Sequence, residues 1–245
     1  TDQPASVASG LTIEDLREGK QPRASSRSDW AFSPATLPGA RQAPLAHLEP
    51  MLATASPIPN TGNFSFEPKL DGIRVLAYLD HGHVELRSRG KRDITHVYPG
   101  IARALTLQPC ATAIIDAEIV ALSPDAKPSF ELLQQRMNLQ DPGSIARAEA
   151  SIPTVFFAFD LLHLDGWDLT KSPLSERREV LTRSLAYTGQ VSQVVVIPAT
   201  QEEAYAASVA AGFEGIIAKR NDSRYEAGKR STTWLKRKAL DRDTF

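Results

Sequence analysis

The sequence has little cysteine, no long apolar run and almost no net charge. Cys110 is the one cysteine among 245 residues, so the chain can form neither an internal disulfide framework nor a zinc site built from several cysteines. No stretch approaches the roughly 18 to 20 apolar residues that cross a bilayer, and the N-terminal region lacks the apolar centre of a signal peptide. These absences predict a cytoplasmic protein without membrane contact.

The formal net charge of −1 gives the whole chain no general attraction to a polyanion. Positive charge is instead concentrated near the end, where residues 215–238 contain eight Lys or Arg against two acidic residues. Such a run is usually a solvated face, although it is also typical of a nucleic-acid contact. The charge alone leaves both interpretations open.

Hydrophobic residues make up 42% of the chain, which is ample for a buried core. Residues 1–45 are rich in Ser, Pro, Ala and Arg and lack apolar periodicity, which predicts a linker or a segment wrapped on a surface. From Phe64 onward, short alternating apolar runs separated by turn residues predict antiparallel sheet. Interleaved helical patterns make the expected fold class α+β.

Local signals place several elements. We expect hairpin loops at His81-Gly82 and at Asp165-Gly166, and strands over 112–122 and 213–220. Helix starts are expected at Ser129, at Ser172-Pro173, and at Thr200 with a capping box from Glu203, for the helices 130–138, 174–186 and 202–212.

The stretch FEPKLDGIR, Phe66 to Arg74, combines acids and bases around Lys69. An arbitrary lysine is a solvated surface group, and the pattern K-x-D-G alone arises by chance. Further charged patterns follow it in order: SRG at 88–90, DAE at 116–118, FAFD at 157–160, EGIIAK at 214–219 and RSTTWLKRK at 230–238. Alternation along a strand would put Lys236 and Lys238 on one face.

Taken in this order, the motifs resemble the covalent nucleotidyltransferases, which include ATP-dependent DNA ligases and mRNA capping enzymes. The resemblance runs from about Pro50 to Lys238 and is strongest to DNA ligases. PMLAT, FDLLHLDG, PL.ERR and EGIIAKR..S.Y..G.RS..WLK.K look most like the ligase module of bacterial ligase D, an enzyme of end joining. The resemblance implies an ATP-grasp-like nucleotidyltransferase (adenylation) domain of antiparallel sheets flanked by helices over residues 46–240, and DNA ligase (ATP) activity in DNA repair and recombination.

The resemblance also assigns roles to individual residues. Lys69 would form a covalent lysyl-AMP. The resemblance places Glu67 beside the adenine base and Phe159 stacked on one face of that base, with Ile216 or Ile217 on the other face. Arg74 and Glu118 would contact the ribose, Arg89 the sugar or a phosphate, and Leu70 the nucleotide. The phosphates would be bound by Lys219, Arg230, Lys236 and Lys238. Glu118 and Glu214 would bind Mg²⁺ through carboxylate oxygens, the ligands that this ion prefers.

These roles fit elementary chemistry. An attacking amine must be deprotonated, whereas an ordinary lysine has a pKa of about 10.4. Neighbouring cations and a divalent metal disfavour the ammonium form, and the same cations neutralise the phosphates as pyrophosphate leaves. On the residues alone, Phe159 is better explained as a core aromatic, whereas Glu118 is equally well explained as a solvent-facing carboxylate.

The chain departs from the family pattern in two ways. Ala117 stands where the family usually has glycine in D-G-E. The chain begins with Thr1 and stops seven residues after Lys238, so we expect an excised adenylation domain, with residues 241–245 starting a connection to an absent OB-fold domain. Sealing of nicks by this piece alone is not expected.

Other functions remain as alternatives. An RNA ligase or a capping guanylyltransferase would share the lysine chemistry, and an inert nucleic-acid-binding module would share the basic surface. An NAD-dependent ligase is disfavoured because its zinc cysteines have no counterpart here. Expected partners are DNA, contacted through its phosphates, polymerase or nuclease modules of the same chain, and the end-binding protein Ku, with the chain itself monomeric.

Overall fold

The computed structural model describes residues 33–59, 62–124 and 127–239. Within them the strands are β1 (Arg41–Gln42), β2 (Leu52–Ala55), β3 (Phe64–Pro68), β4 (Ile73–Asp80), β5 (His83–Ser88), β6 (Thr112–Ala121), β7 (Thr154–Leu164), β8 (Trp167–Asp168), β9 (Val191–Gln193), β10 (Gly215–Arg220) and β11 (Arg230–Lys238). The α-helices are α1 (Pro99–Thr106), α2 (Phe130–Gln134), α3 (Pro142–Ser151), α4 (Leu174–Ser184) and α5 (Gln201–Ala210), with short 3-10 helices at Pro34–Thr36 and Thr95–Val97.

The strands form two sheets. The large sheet has the order β1-β8-β7-β6-β4-β5, in which neighbouring strands are antiparallel, while β9 joins β7 in parallel. The small sheet has the order β2-β11-β10-β3, with β2 parallel to β11 and the other pairs antiparallel. The α+β prediction is confirmed.

Both predicted hairpins are present. His81 and Gly82 have φ angles of 48° and 86°, and Asp165 and Gly166 have φ angles of 44° and 86°. Two consecutive residues with positive φ are the signature of a type I′ turn, whose twist matches that of the flanking strands. Each loop therefore connects its strands directly, β4 to β5 and β7 to β8.

The helix starts agree with the sequence in two cases and differ in one. Ser129 caps α2, and Thr200 with Glu203 forms the predicted capping box of α5. The predicted cap at Ser172 is wrong, because Pro173 occupies the N-cap position of α4 and no side chain caps that end. Helix α2 is also shorter than predicted, since the chain after Gln134 continues in tighter i→i+3 turns.

The core is divided by the large sheet. On β4, Val75, Ala77 and Leu79 pack against α1 and α4, whereas Leu76 and Tyr78 face the small sheet. A separate apolar cluster lies behind the small sheet, against α5. This alternation leaves a cleft between the two sheets, into which polar side chains of β4 and β6 project.

Two predicted segments fall partly or wholly outside the described residues, namely 1–32 of the N-terminal segment and the connection at 241–245. Of the remaining N-terminal residues, Arg41 and Gln42 pair with β8. None of the helices in the described part of the chain is long and apolar enough to cross a membrane.

Candidate active site

Lys69 lies in the turn that follows β3, and the backbone fixes this turn against β10. Its N–H donates to the Gly215 carbonyl at 2.8 Å, and its carbonyl accepts from the Glu214 N–H at 3.1 Å. Gly215 has a φ of 128°, and a Cβ there would come 2.1 Å from the Arg237 carbonyl oxygen. Only glycine allows this close approach, so the EG of EGIIAK positions the lysine turn.

The Lys69 ammonium forms an ion pair with the Glu214 carboxylate. Lys238 approaches the other oxygen of Glu214 at 2.6 Å, so one carboxylate joins two lysines. Lys236 lies on the same strand as Lys238 and lines the cleft. Partial burial and the positive charges of Lys69 and Arg230 lower the pKa of Lys236. The predicted convergence of cations on this end of the cleft is present.

Glu118 projects from β6 into the cleft. Burial raises its pKa to about 7, although the nearby charges of Arg74 and Lys69 oppose the shift. Its carboxylate accepts no hydrogen bond from the residues that the structure describes. A buried carboxylate without donors is stabilised in its charged form by a bound cation.

Arg74 is held by a buried network that the sequence did not reveal. Its Nε and Nη2 atoms donate to the two oxygens of Asp116 at 2.5 and 2.7 Å, and Tyr225 donates its hydroxyl to Asp116 at 2.5 Å. Burial opposes the charge of Arg74, but Asp116 keeps the pKa of Arg74 above its ordinary value. The guanidinium lies 4.5 Å from the centroid of the Phe159 ring. The network therefore fixes the position of Arg74, whose guanidinium covers one face of the Phe159 ring.

The other end of the cleft is aromatic and enclosed. Lys219 lies 4.0 Å from the centroid of the Phe159 ring and 4.2 Å from that of Trp234, and its ammonium pairs with Glu67 at 2.6 Å. Burial lowers the pKa of Lys219 to about 8, while Glu67 opposes this change. Lys219 thus lies beside Glu67 and the two aromatic rings, and its role at the phosphates stays a prediction. Register explains the position, because Ile217 on β10 is paired with Glu67 on β3.

The structure brings the predicted site residues together. The cleft is lined by Glu67, Lys69, Leu70, Arg74, Arg89, Glu118, Phe159, Ile217, Lys219, Arg230 and Lys236, all of them predicted. Glu214 adjoins it through its ion pair with Lys69, and Lys238 adjoins it through its ion pair with Glu214. Of the two isoleucines left open, Ile217 faces the cleft and Ile216 is buried behind the small sheet.

Other lining or supporting residues were missed. Trp234 and Val194 also line the cleft, Asp116 and Tyr225 hold Arg74, and Arg178 of α4 pairs with Glu67. For Asp116, Tyr225, Trp234 and Arg178 the signal was their presence inside the quoted motifs DAE, S.Y..G.RS..WLK.K and PL.ERR. Val194 carries no such signal, because it belongs to the apolar run 194–197, and such a run beside a short strand is typical of any core.

The acidic side chains do not form a complete metal site by themselves. No group of three or more His, Cys, Asp or Glu within the described ranges could hold a metal ion. Glu118 and Glu214 instead offer separate carboxylates near the cationic end. Magnesium commonly takes one or two carboxylates and completes its octahedron with water and substrate phosphates, so the two residues fit that ion in the presence of a nucleotide.

Comparisons with known proteins identify the family of the chain. The sequence model of the family described as "ATP dependent DNA ligase domain" matches residues 50–238. The multifunctional non-homologous end joining protein LigD of Mycobacterium bovis is 38% identical over 194 residues, which cover 78% of this chain and 24% of the relative. A probable DNA ligase of Sorangium cellulosum is 36% identical over 203 residues, which cover 78% of this chain and 37% of the relative.

Solved structures give the same result. The ligase domain of M. tuberculosis LigD superposes with a TM-score of 0.66 at 36% identity, covering 78% of this chain and 60% of that one. The mycobacterial DNA ligase D complexed with ATP and MES gives 0.65 at 35% identity, covering 79% and 61%. The chain thus spans about a quarter of the LigD proteins and three-fifths of the solved ligase domains. With its motifs assembled around one cleft and the family model matching most of its length, the chain belongs to the ATP-dependent DNA ligase family.

Proposed function

We propose that this chain is the adenylation domain of a DNA ligase, which transfers AMP from ATP to Lys69 and then to a 5′-phosphate of DNA. The observation that supports it most directly is the position of the Lys69 amine. It lies in a cleft with cations at one end and an enclosed aromatic slot at the other. A nucleoside triphosphate offers the same two parts, a polyanion and an aromatic base.

In the first step the Lys69 Nζ attacks the α-phosphorus of ATP. A P–N bond forms, the P–O bond to pyrophosphate breaks and pyrophosphate leaves with its electron pair, and the proton of the amine passes to solvent water. The ion pair with Glu214 must open for this attack, and Lys238 can keep the carboxylate as Lys69 leaves it because it already contacts the other oxygen. Lys236 and Arg230 then face the charge of the departing pyrophosphate.

Glu118 and Glu214 are the residues that would hold Mg²⁺, and the ion would supply positive charge to the phosphates. The fit rests on Glu118, whose carboxylate is held in the cleft without a hydrogen-bond donor among the described residues and with a pKa raised to about 7 by burial. A cation beside it would favour the ionised form. Arg74, fixed by Asp116, remains available to the ribose.

The later steps need DNA. AMP would pass from Lys69 to a 5′-phosphate, and a 3′-hydroxyl would then attack and release AMP. Contacts to DNA phosphates would make binding salt-dependent and largely independent of sequence. The LigD relatives are named for non-homologous end joining, so we extend the proposal to that repair process in the cytoplasm. Polymerase or nuclease modules of the same chain and Ku are proposed partners of a monomeric ligase.

Incubation with α-³²P-ATP and Mg²⁺, followed by denaturing electrophoresis, tests the first step. The protein is first treated with pyrophosphate, which removes any AMP already attached. We expect label on the wild type and on Lys171→Ala, which changes an exposed lysine between β8 and α4, and no label on Lys69→Ala. An unlabelled wild type, or equal labelling of Lys69→Ala, would refute the proposal.

The same assay separates the remaining alternatives. Labelling by GTP in preference to ATP would indicate guanylyltransfer of the capping type. Transfer of AMP from the labelled protein to a nicked RNA duplex, but not to nicked DNA, would indicate an RNA ligase. Salt-dependent DNA binding without any covalent label would indicate an inert binding module.

A further inference from the structure

The two adjacent arginines of the PL.ERR motif, Arg177 and Arg178, lie in different surroundings. Arg177 is fully buried and forms a two-bond ion pair with Asp160, at 2.7 Å for each bond. Arg178 instead reaches β3 at the edge of the cleft, where it pairs with Glu67 and donates to the Ser65 hydroxyl. Arg177 therefore attaches α4 to the large sheet, whereas Arg178 contacts only the strand that leads to Lys69.

Glu67 is the centre of a buried group of three charges. Its side chain is 4% exposed, and Arg178, at 11% exposed, pairs with one carboxylate oxygen. Lys219 pairs with the other oxygen at 2.6 Å and lies against Phe159. Since each carboxylate oxygen can accept more than one hydrogen bond, Glu67 keeps acceptor capacity towards the cleft while both cations hold it in place.

This arrangement stands at the aromatic end of the cleft, where the base of a nucleotide would lie if its phosphates face Lys69 and Lys236. Adenine carries a donor amine at position 6, and guanine carries an acceptor oxygen at the same position. A carboxylate held by two cations accepts from the amine and disfavours an acceptor oxygen in the same place. Lys219 supplies a neighbouring donor for a ring nitrogen.

Resting on the function proposed above, we propose that Arg178 is a positioning residue that orients Glu67 and thereby sets the selectivity of the cleft for a purine with a 6-amino group. Arg178 acts through Glu67 and Ser65 and needs no contact with the nucleotide. Without it, the carboxylate is held on one side alone by Lys219 and turns towards that lysine. The base then loses an aligned acceptor, while the phosphate end of the cleft is unaffected.

The test measures equilibrium binding of ATP and of purine riboside triphosphate, which lacks the 6-amino group, by isothermal titration calorimetry. All proteins carry Lys69→Ala, so no covalent step contributes. Arg178→Met removes the charge at similar size, and Arg178→Lys keeps the charge but loses the forked geometry. Arg183→Ala is the matched control, because Arg183 lies on the same helix, pairs with Glu179 and is half-exposed.

With Arg178 present, we expect ATP to bind about tenfold or more tightly than the analogue, as for a hydrogen bond to a charged acceptor. Arg178→Met should reduce this ratio of affinities to about twofold by weakening the binding of ATP. Arg178→Lys should give an intermediate ratio, and Arg183→Ala should keep the full ratio. Thermal unfolding verifies that each variant is folded. The inference would be overturned if folded Arg178→Met kept the same ratio of affinities for ATP and the analogue, or if it lost affinity for both nucleotides equally. It would also be overturned if the Lys69→Ala parent bound the two nucleotides equally well. A wild type that forms no adduct would refute the proposed function instead, because the binding ratio is measured without that step.

Discussion

Replacing Asp116 by asparagine tests whether the buried network determines the position of Arg74. Asp116 is completely buried and makes two charge-assisted bonds to the guanidinium, at 2.5 and 2.7 Å. Breaking a buried ion pair by removing one charge costs about 3–5 kcal/mol. The Arg74 side chain is 20% exposed and keeps a bond to the Met51 carbonyl at 3.2 Å, so we expect the lower end, about 3 kcal/mol of unfolding free energy.

Urea unfolding at neutral pH measures this loss, provided that the m-value is unchanged. Asp222→Asn is the control, because Asp222 is exposed and its pair with Arg220 lies on the surface; it should change stability by less than about 0.5 kcal/mol. Tyr225→Phe should cost about 1 kcal/mol, and part of this effect should remain once Asp116 is asparagine, because the hydroxyl also accepts from the Met51 N–H at 2.9 Å. A loss below about 1 kcal/mol in Asp116→Asn would contradict the reasoning.

Three further predictions concern backbone, helix cap and charge. Gly215→Ala should destabilise the fold by about 3 kcal/mol or more and abolish labelling of the protein by ATP, because the new Cβ would collide with the Arg237 carbonyl. Urea unfolding measures the loss of stability, and the ATP labelling assay measures the loss of activity. Thr200→Ala should cost about 1 kcal/mol by urea unfolding and leave ATP binding unchanged, since it removes the capping box with Glu203 at an exposed helix end. Burial lowers the pKa of Lys219 from 10.5 to about 8, so the unfolded chain binds this proton more tightly and stability should rise with pH between those values, by about 3 kcal/mol in total. The difference in stability between wild type and Lys219→Met, followed from pH 7.5 to 11, isolates this contribution, and a difference independent of pH would contradict it.

Local features of the fold were predictable because their causes are local. The turn at His81-Gly82 needs two residues that accept positive φ, and Thr200 and Glu203 satisfy the free N–H groups of one helix end from within four residues. The N-cap of α4 was misplaced by one residue for a related reason. Ser172 has the chemistry of a cap, but its side chain is buried and Pro173 takes the N-cap position.

The sequence predicted which residues form the site but not which of them contact each other. Motif order identified the residues that line the cleft, since each motif lies on or beside a strand of the two sheets. The partner of each residue depends instead on strand register and helix docking, which no short motif encodes. Tyr225 is 109 residues from Asp116, and Arg178 is 111 residues from Glu67. Lys219 was consequently expected at the phosphates and lies beside the carboxylate of β3.

The alternation of the strands explains why one cleft contains both ends of a nucleotide site. Each strand of the large sheet gives its apolar face to the helices, so Arg74, Asp116 and Glu118 project together towards the small sheet. The small sheet turns Ile217 and Lys219 towards them. Charges in this partly dry space must be compensated, and two carboxylates compensate them: Glu214 for Lys69 and Lys238, and Glu67 for Arg178 and Lys219. If its phosphates face Lys69, as proposed, an incoming triphosphate can replace the first of these carboxylates but not the second, whose cations lie at the aromatic end of the cleft. Binding should therefore release Lys69 while leaving the base-recognition end intact, which is the order of events that attack on the α-phosphorus requires.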